Sequence, residues 1–306
     1  MKKILIIKHG SLGDIVLALP AFASIRAHYN KSKIYLLTEK KYFSIFHMSS
    51  YVDNCIADNR KENFLITINK KIQLFLEKFD LIIDLQNSKR TSFYNLLFRI
   101  FQPAKVCSSR PFAHFRYNIP TQGTETINSG LFNQLKLIGI KKITNDDYSW
   151  LRAELNDKFI KPLALIIPGV SKNGNYKQWQ PYKFAEIAKY LEKRNYTICV
   201  VGNKEDQQSI LPIVQSCNNV LNKIDQSPPD VIYSLALHSK IIISNDTGPG
   251  QIASLSKNNF IWVVNDNKIS RANQPPGKHI YKIQSSSVKN ISCKEVINFI
   301  KKNKLC

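Results

Sequence analysis

Long apolar runs are missing from this 306-residue sequence. A membrane-spanning helix needs about 18 uninterrupted apolar residues, and no segment provides them, so we expect none. We also expect no export signal at the N-terminus, because Lys8, His9 and Asp14 interrupt the apolar segment that precedes Ala21. Cysteine pairs at metal-ligand spacing are absent, and the six scattered cysteines indicate reduced thiols of a cytosolic protein without a structural metal.

Acidic residues are scarce. The chain has 22 Asp and Glu against 44 Lys and Arg, a formal charge of +22, which favours nucleic acid, an anionic membrane or phosphorylated small molecules as partners. The lysines are dispersed, without a block of five, and no RNA-recognition, helix-turn-helix or zinc-finger signature occurs. We therefore expect no nucleic-acid partner, and a non-enzymatic nucleic-acid-binding protein is kept only as a remote alternative.

Apolar strands and helices alternate along the chain. KKILIIKHG reads as a buried strand that ends in a glycine turn, a helix follows over 14–27, strands are predicted at 34–41 and 80–88, and 64–78 reads as a helix. After a polar stretch the rhythm repeats from ALIIPG onward, up to a final helix, CKEVINFIKKN. The pattern predicts an α/β protein with two Rossmann-like parallel-sheet domains, 1–155 and 156–306, facing across a cleft. One large doubly wound sheet is the alternative, and the final helix could pack on either half.

Three loops offer groups that can bind anions. In HGSLGD, two glycines allow close approach of the backbone to a ligand, and Asp14 begins a helix that it could simply cap. In IIPGVSKNGNYKQW, Lys177 could neutralise a diphosphate or be an ordinary solvated lysine. In SNDTGPGQIA, the backbone around Thr247 and Gly248 favours a phosphate cradle over a plain capping turn. Neither a dinucleotide-binding G-x-G-x-x-G nor a P-loop is present.

The order of these motifs is more specific than any one of them. SLGD, DLQ-x-x-x-R at 84–90, PG-x-S with K-x-W at 168–179 and NDTGP at 245–249 together resemble the ADP-heptose:lipopolysaccharide heptosyltransferases, glycosyltransferase family 9. This resemblance implies the GT-B fold. It also implies an inverting transfer of heptose from ADP-L-glycero-D-manno-heptose to the inner core of lipopolysaccharide.

The resemblance also implies roles for individual residues. Asp14 matches the catalytic base, which accepts the proton of the attacking hydroxyl. Ser11, Gly13 and Arg90 are assigned to the acceptor, with Arg90 meeting an anionic group. The remaining residues are assigned to the donor, with Glu205 or Asp206 reaching the ribose: Ser171, Lys177, Glu205, Asp246, Thr247, Gly248 and Gln251. No tightly bound cofactor is expected, and Mg²⁺ is not required by the sequence.

Gln251 departs from the family pattern, which usually has histidine at this point. Glutamine forms hydrogen bonds but carries no charge, so a GT-B transferase that uses another nucleotide sugar for a surface polysaccharide is the main alternative. The segment 173–175 also departs from the more charged loop of the family. The expected partners are a nucleotide sugar, an anionic lipid A–Kdo-like acceptor and the cytoplasmic membrane surface, with the protein peripheral on the inner face of the inner membrane.

Overall fold

The computed structural model describes residues 1–59, 72–141, 147–171 and 174–306. The chain divides into two compact units, Met1–Trp150 and Leu151–Cys306. The division lies close to the boundary predicted between 155 and 156. The predicted helix at 64–78 and the segment 173–175 fall partly outside the described residues.

The first unit contains a six-stranded sheet in which every neighbouring pair is parallel, with the order β3-β2-β1-β4-β5-β6. Its strands are β1 Lys3–Ile7, β2 Lys33–Thr38, β3 Asn54–Ala57, β4 Leu81–Asp84, β5 Lys105–Ser108 and β6 Phe115–Arg116. Its described helices are α1 Leu12–His28, α2 Phe43–Ser49, α3 Ile72–Leu76, α4 Lys89–Phe101 and α5 Ile127–Lys136, with short 3-10 turns at Lys40–Tyr42 and Ser149–Leu151.

The second unit also contains a six-stranded parallel sheet, with the order β12-β11-β10-β7-β8-β9. Its strands are β7 Leu163–Ile167, β8 Thr197–Gly202, β9 Val220–Ile224, β10 Ser239–Ser244, β11 Asn259–Asn265 and β12 Ile280–Ser285. Its helices are α6 Pro181–Glu192, α7 Gln207–Ser216, α8 Pro229–His238, α9 Gly248–Ser254, α10 Lys268–Ala272 and α11 Cys293–Lys302. Short 3-10 turns lie at Asn175–Lys177, Lys204–Asp206 and Val288–Asn290.

The central strands are largely apolar because helices cover both faces of a parallel sheet. All five residues of β7 are buried, as are four of the five in β1. When each unit is numbered from its own first strand, both sheets have the order 3-2-1-4-5-6 that is typical of Rossmann folds. The predicted class, two Rossmann-like parallel sheets rather than one large sheet, is confirmed.

The final helix belongs to the core of the second unit. Its residues Val296 and Ile300 are fully buried in the same cluster as Phe184 and Ile187 of α6. The sequence left open whether this helix packs on the first half or on its own half. Its buried apolar side chains pack within the second unit.

Candidate active site

The polar loops predicted to bind substrate follow the central strands of each sheet. Asp14 lies in the first turn of α1, which follows β1, and Arg90 lies in the first turn of α4, which follows the neighbouring strand β4. The loop of Lys177 follows β7, and the loop of Asp246 follows the neighbouring strand β10. Open parallel sheets bind ligands outside the carboxyl ends of the strands at the point where strand order reverses, and in both units these loops lie at that point.

Asp14 lies in the first turn of α1 and takes part in the capping box of this helix. Ser11 is the N-cap of α1, and its backbone N and its Oγ donate to Asp14 Oδ2 at 2.6 and 2.8 Å. Within the described residues, Oδ1 of the half-buried Asp14 has no hydrogen-bond partner in the protein. Gly13, also half-buried, lies in the first turn of the helix. Capping therefore uses one carboxylate oxygen and leaves the other able to accept a proton.

Gly10 makes room for this carboxylate. Its φ is +124°, and a Cβ at this position would lie 2.6 Å from both Cβ and Oδ2 of Asp14. Side chains rarely adopt such a backbone conformation, and the space that one would need is already filled. The absence of a side chain at Gly10 therefore allows the Asp14 carboxylate to lie against the backbone that follows β1.

Gly10→Ala should consequently destabilise the protein and displace Asp14. Gly139→Ala is a matched control, because Gly139 also has a positive φ, +78°, but a Cβ there would meet no atom of the described residues within 4 Å. We expect the free energy of unfolding, measured by chemical denaturation, to fall by about 1–3 kcal/mol more for Gly10→Ala than for Gly139→Ala, as for an overpacked site. Equal losses would contradict the close contact.

Arg90 lies beside a buried carboxylate. Its Nη2 is 3.9 Å from Asp58 Oδ1, and its Nε donates to Tyr94 Oη at 2.8 Å. His9 Nε2 lies 2.9 Å from Asp58 Oδ2, and both of these side chains are almost fully buried. Burial raises the pKa of Tyr94 to about 12. Arg90 therefore balances the Asp58 charge, and about a fifth of its side chain is exposed for any contact with an acceptor.

Asp84 has a structural role at the end of β4. Its Oδ1 accepts from the backbone of Gln86 and Asn87 at 3.0 Å, and its Oδ2 accepts from Asn95 Nδ2 at 3.1 Å and Ser108 Oγ at 3.0 Å. The residue is fully buried. Four hydrogen bonds satisfy a buried carboxylate, so Asp84 shapes the turn that leads to Arg90.

The structure brings Lys177 and Asp246 together. Lys177 Nζ lies 2.8 Å from Asp246 Oδ2, and the two side chains are 19% and 5% exposed. The pair joins the loop after β7 to the loop after β10, although 69 residues separate them along the chain. A lysine ammonium has three donors, so two remain for an anion after this contact. Ser171 is exposed in the same β7 loop.

A buried asparagine joins the same two loops. Asn245 Nδ2 donates to Pro168 O at 2.8 Å, and its Oδ1 accepts from Trp179 N at 3.0 Å. Trp179 is fully buried and donates through Nε1 to Ile291 O. The segment between Lys177 and Trp179 is thereby fixed to the strand ends.

Thr247 and Gly248 begin the short helix α9. Thr247 is the N-cap, with an extended backbone and no side-chain capping hydrogen bond. The first N–H groups of a helix have no partner within it, and Pro249 has no N–H at all, so Gly248 and Gly250 supply the amides of this turn.

Gln251 is almost fully buried in the same helix. Its Nε2 donates to Asn273 O at 2.8 Å, while its Oε1 has no hydrogen-bond partner among the described residues. A buried carbonyl oxygen without a donor is unfavourable by about 1–3 kcal/mol. Because this oxygen is itself buried, a ligand can bind it only by displacing the side chains that cover it.

Glu205 and Asp206 have different environments. Asp206 lies against the strand ends, where a Cβ on Gly169 would meet its Oδ1 at 2.2 Å, and it accepts from Asn203 N at 3.0 Å. Burial raises the pKa of Asp206, and the charge of Glu205 adds to the rise. Both acids line a groove of about 450 Å³ together with Ser171, Glu205 as an exposed side chain and Asp206 as a partly buried one. Either carboxylate can therefore meet a ligand in this groove.

Among the described residues, no group of three or more His, Cys, Asp and Glu side chains is placed to hold a metal ion. The same part of the chain contains no helix that is both long and apolar enough to cross a membrane.

The sequence profile of glycosyltransferase family 9 (heptosyltransferase) matches residues 69–261, more than half of the chain. The chain belongs to this family. A curated relative, lipooligosaccharide heptosyltransferase 2 of Haemophilus ducreyi, is 30% identical over 99 residues, which are 31% of this chain and 28% of that protein. The chain therefore matches well under half the length of this relative.

Solved structures share the fold of this family 9 chain. A glycosyltransferase family 9 protein from Veillonella parvula is 16% identical, with a TM-score of 0.82 over 98% of this chain and 96% of its own. The E. coli heptosyltransferase WaaC with ADP-2-deoxy-2-fluoro heptose is also 16% identical, with a TM-score of 0.76 over 98% and 99%. The glycosyltransferase family and the GT-B fold class predicted from the sequence are confirmed.

Sequence analysis assigned no role to several polar residues near these loops, although Asp84 and Asn245 stand within the quoted motifs. Asp84 ends the apolar strand β4, which is the signal that could have identified its role, whereas Asp58 follows the partly exposed strand β3 and has no such signal. Asn245 and Asn265 likewise end β10 and β11, and Asn265 Nδ2 donates to Tyr176 O, next to Lys177. Their hydrogen-bond partners lie far away in the sequence, so these contacts could be identified only from the three-dimensional structure.

Proposed function

We propose that this glycosyltransferase moves heptose from ADP-L-glycero-D-manno-heptose to the lipopolysaccharide inner core, with inversion at the anomeric carbon. The observation that carries the proposal is the contact between Lys177 and Asp246, which joins two donor loops at the reversal point of the second sheet. Such an arrangement suits a diphosphate, because the ammonium offers fixed positive charge where the leaving group becomes negative.

The second unit would hold the donor. Lys177 neutralises Asp246, which would otherwise repel a diphosphate, and the amides of Gly248 and Gly250 add uncharged donors. Ser171 lies in the adjoining groove, and Glu205 on the same groove is placed to accept from the ribose hydroxyls. No step requires a metal ion bound by the protein.

Asp14 would act as the base. The acceptor oxygen attacks the anomeric carbon, the bond from that carbon to the diphosphate oxygen breaks, and ADP leaves with the electron pair. The hydroxyl proton passes to Asp14, whose Oδ1 is not used in capping. A single displacement of this kind inverts the anomeric centre. Ser11, Gly13 and Arg90 would contact the acceptor.

Incubation of the purified chain with ADP-heptose and a lipid A–Kdo acceptor should release ADP and extend the acceptor by one heptose. ADP release should depend on both substrates, and mass spectrometry of the lipid should show the added sugar. Failure of every heptose and hexose nucleotide to react would overturn the proposal.

Gln251 favours a second candidate, a transferase that uses a different nucleotide sugar. Its buried Oε1 offers an acceptor and no charge, whereas the family usually has histidine there. The preferred sugar would then be one that presents a hydroxyl to this oxygen. A thermal-shift comparison of ADP-, GDP- and UDP-sugars separates the two candidates, because a ligand at about 100 times its Kd stabilises by about 2.7 kcal/mol.

The acceptor in this proposal is anionic and anchored in lipid, and the enzyme would act at the cytoplasmic face of the inner membrane. The formal charge of +22 supports this location, because each cation near an anionic surface contributes about 1 kcal/mol.

A further inference from the structure

Residues 85–124 contain no acidic residue. This stretch of 40 residues carries six cations: Lys89, Arg90, Arg99, Lys105, Arg110 and Arg116. Asp84 and Glu125 bound it on either side, and both are engaged in hydrogen bonds. The positive charge of this part of the first unit is therefore not balanced by neighbours in sequence.

Exposed apolar side chains concentrate in the same stretch. All exposed phenylalanines of the described residues lie between 93 and 115, and Ile100 and Ile119 are 62% and 59% exposed. Phe101 and Phe112 are 55% and 42% exposed. Soluble surfaces rarely gather large apolar side chains in this way unless they bind something.

The fold places the charged and the apolar groups beside one another. His114 bonds to β5 beside Lys105, because its N donates to Val106 O at 2.9 Å and its Nδ1 accepts from Val106 N at 3.1 Å. Burial and the charges of Arg99 and Lys105 lower the pKa of His114, in agreement with this placement. His114 precedes Phe115 and Arg116, which form the edge strand β6. The end of α4 and the edge of the sheet therefore present cations and apolar groups together.

We propose that residues 99–119 of the first unit form a docking surface for an anionic phospholipid bilayer. Positive charge and exposed Phe side chains would also suit nucleic acid, but Ile100 and Ile119 have no ring that could stack on a base. At a bilayer, cations meet lipid phosphates while apolar side chains enter the interface. The inference extends the proposed function, since a lipid-linked acceptor requires an enzyme at the membrane.

Vesicle co-sedimentation of the full chain tests the docking surface. Two vesicle types are compared, phosphatidylcholine alone and phosphatidylcholine mixed with phosphatidylglycerol. Strong binding is expected only with the anionic lipid. Ile100→Gln combined with Phe112→Asn removes apolar contacts, and asparagine tolerates the positive φ of 71° at position 112. This variant should bind about ten-fold more weakly.

Matched variants separate a local surface from overall charge. Arg99→Gln with Arg116→Gln should weaken binding about 25-fold, or about five-fold for each cation. Lys294→Gln with Lys302→Gln removes two exposed cations of α11 in the second unit and should change binding by less than about three-fold, as for charges outside the docking surface. Ile160→Gln with Leu211→Gln is the corresponding apolar control, since both residues are exposed in the second unit.

Three outcomes would overturn the inference. They are equal losses in the surface and control variants, preferential binding of duplex DNA that competes with vesicles, and a change of self-association in sedimentation velocity without vesicles. Turnover on a lipid-free acceptor, measured in parallel, should be unchanged in the surface variants. Absence of turnover in the unaltered protein would count against the proposed function. The vesicle-binding results would still show whether residues 99–119 form a docking surface.

Discussion

Asp14→Asn should lower kcat by about 10²–10⁴-fold and leave the fold unchanged, the loss expected when a general base is removed. Asparagine retains an oxygen that can accept from Ser11 N and Oγ, so the cap of α1 survives the substitution. It cannot accept the proton of the acceptor hydroxyl. The measurement is ADP release under saturating substrates, together with the free energy of unfolding.

Ser11→Ala is the matched control for the cap. It removes the 2.8 Å hydrogen bond to Asp14 but keeps the carboxylate. Its expected effect is a loss of stability of about 0.5–2 kcal/mol, with kcat reduced far less than in Asp14→Asn. If Asp14→Asn retained full turnover while Ser11→Ala lost stability, Asp14 would be a helix cap alone.

Lys177→Met should weaken ADP binding and reduce turnover by about 10²–10³-fold, because it removes the charge that faces the leaving diphosphate. It also leaves the Asp246 carboxylate, only 5% exposed, without its ion-pair partner. We therefore expect a loss of stability of about 1–3 kcal/mol as well. Calorimetric titration with ADP and chemical denaturation measure the two effects separately.

A second ion pair in the same unit provides the control. Lys223 Nζ lies 2.8 Å from Asp157 Oδ2, and the Lys223 side chain is 18% exposed, close to the value for Lys177. Lys223→Met should affect stability in a similar way and leave ADP affinity unchanged. In the double variant Lys177→Met, Asp246→Asn, stability should recover but ADP affinity should not. Recovery of both would show that Lys177 serves only to balance Asp246.

The strands that could be predicted from the sequence are those whose burial produces a continuous run of apolar residues. β1, β4, β7 and β10 are central strands, so their apolar runs are continuous and were found. β3 and β9 lie at sheet edges and are partly exposed, so residues such as Asn54 and Lys223 break the pattern that would reveal them.

The site was predictable only in part, for a similar reason. Motif order placed Asp14, Lys177 and Asp246 just beyond strand ends, and the structure has Asp14 in the first turn of α1, Lys177 in a 3-10 turn and Asp246 in the loop after β10. The pairing of Lys177 with Asp246 and of Arg90 with Asp58 depends on which strands are neighbours, which local sequence does not encode. The same holds for the inward position of Asp206, which separates it from Glu205.

The strand order also bears on how the chain folds during synthesis. In each sheet the first strand is central, and it contacts a strand that is made much later: Lys8 bonds to Leu85, and Asn245 bonds to Pro168, each across 77 residues. A ribosome must therefore extend most of a unit before its central ladder can close. Until then, strands as apolar as β1 and β7 have one side open, which makes the nascent chain dependent on timely elongation or on chaperones.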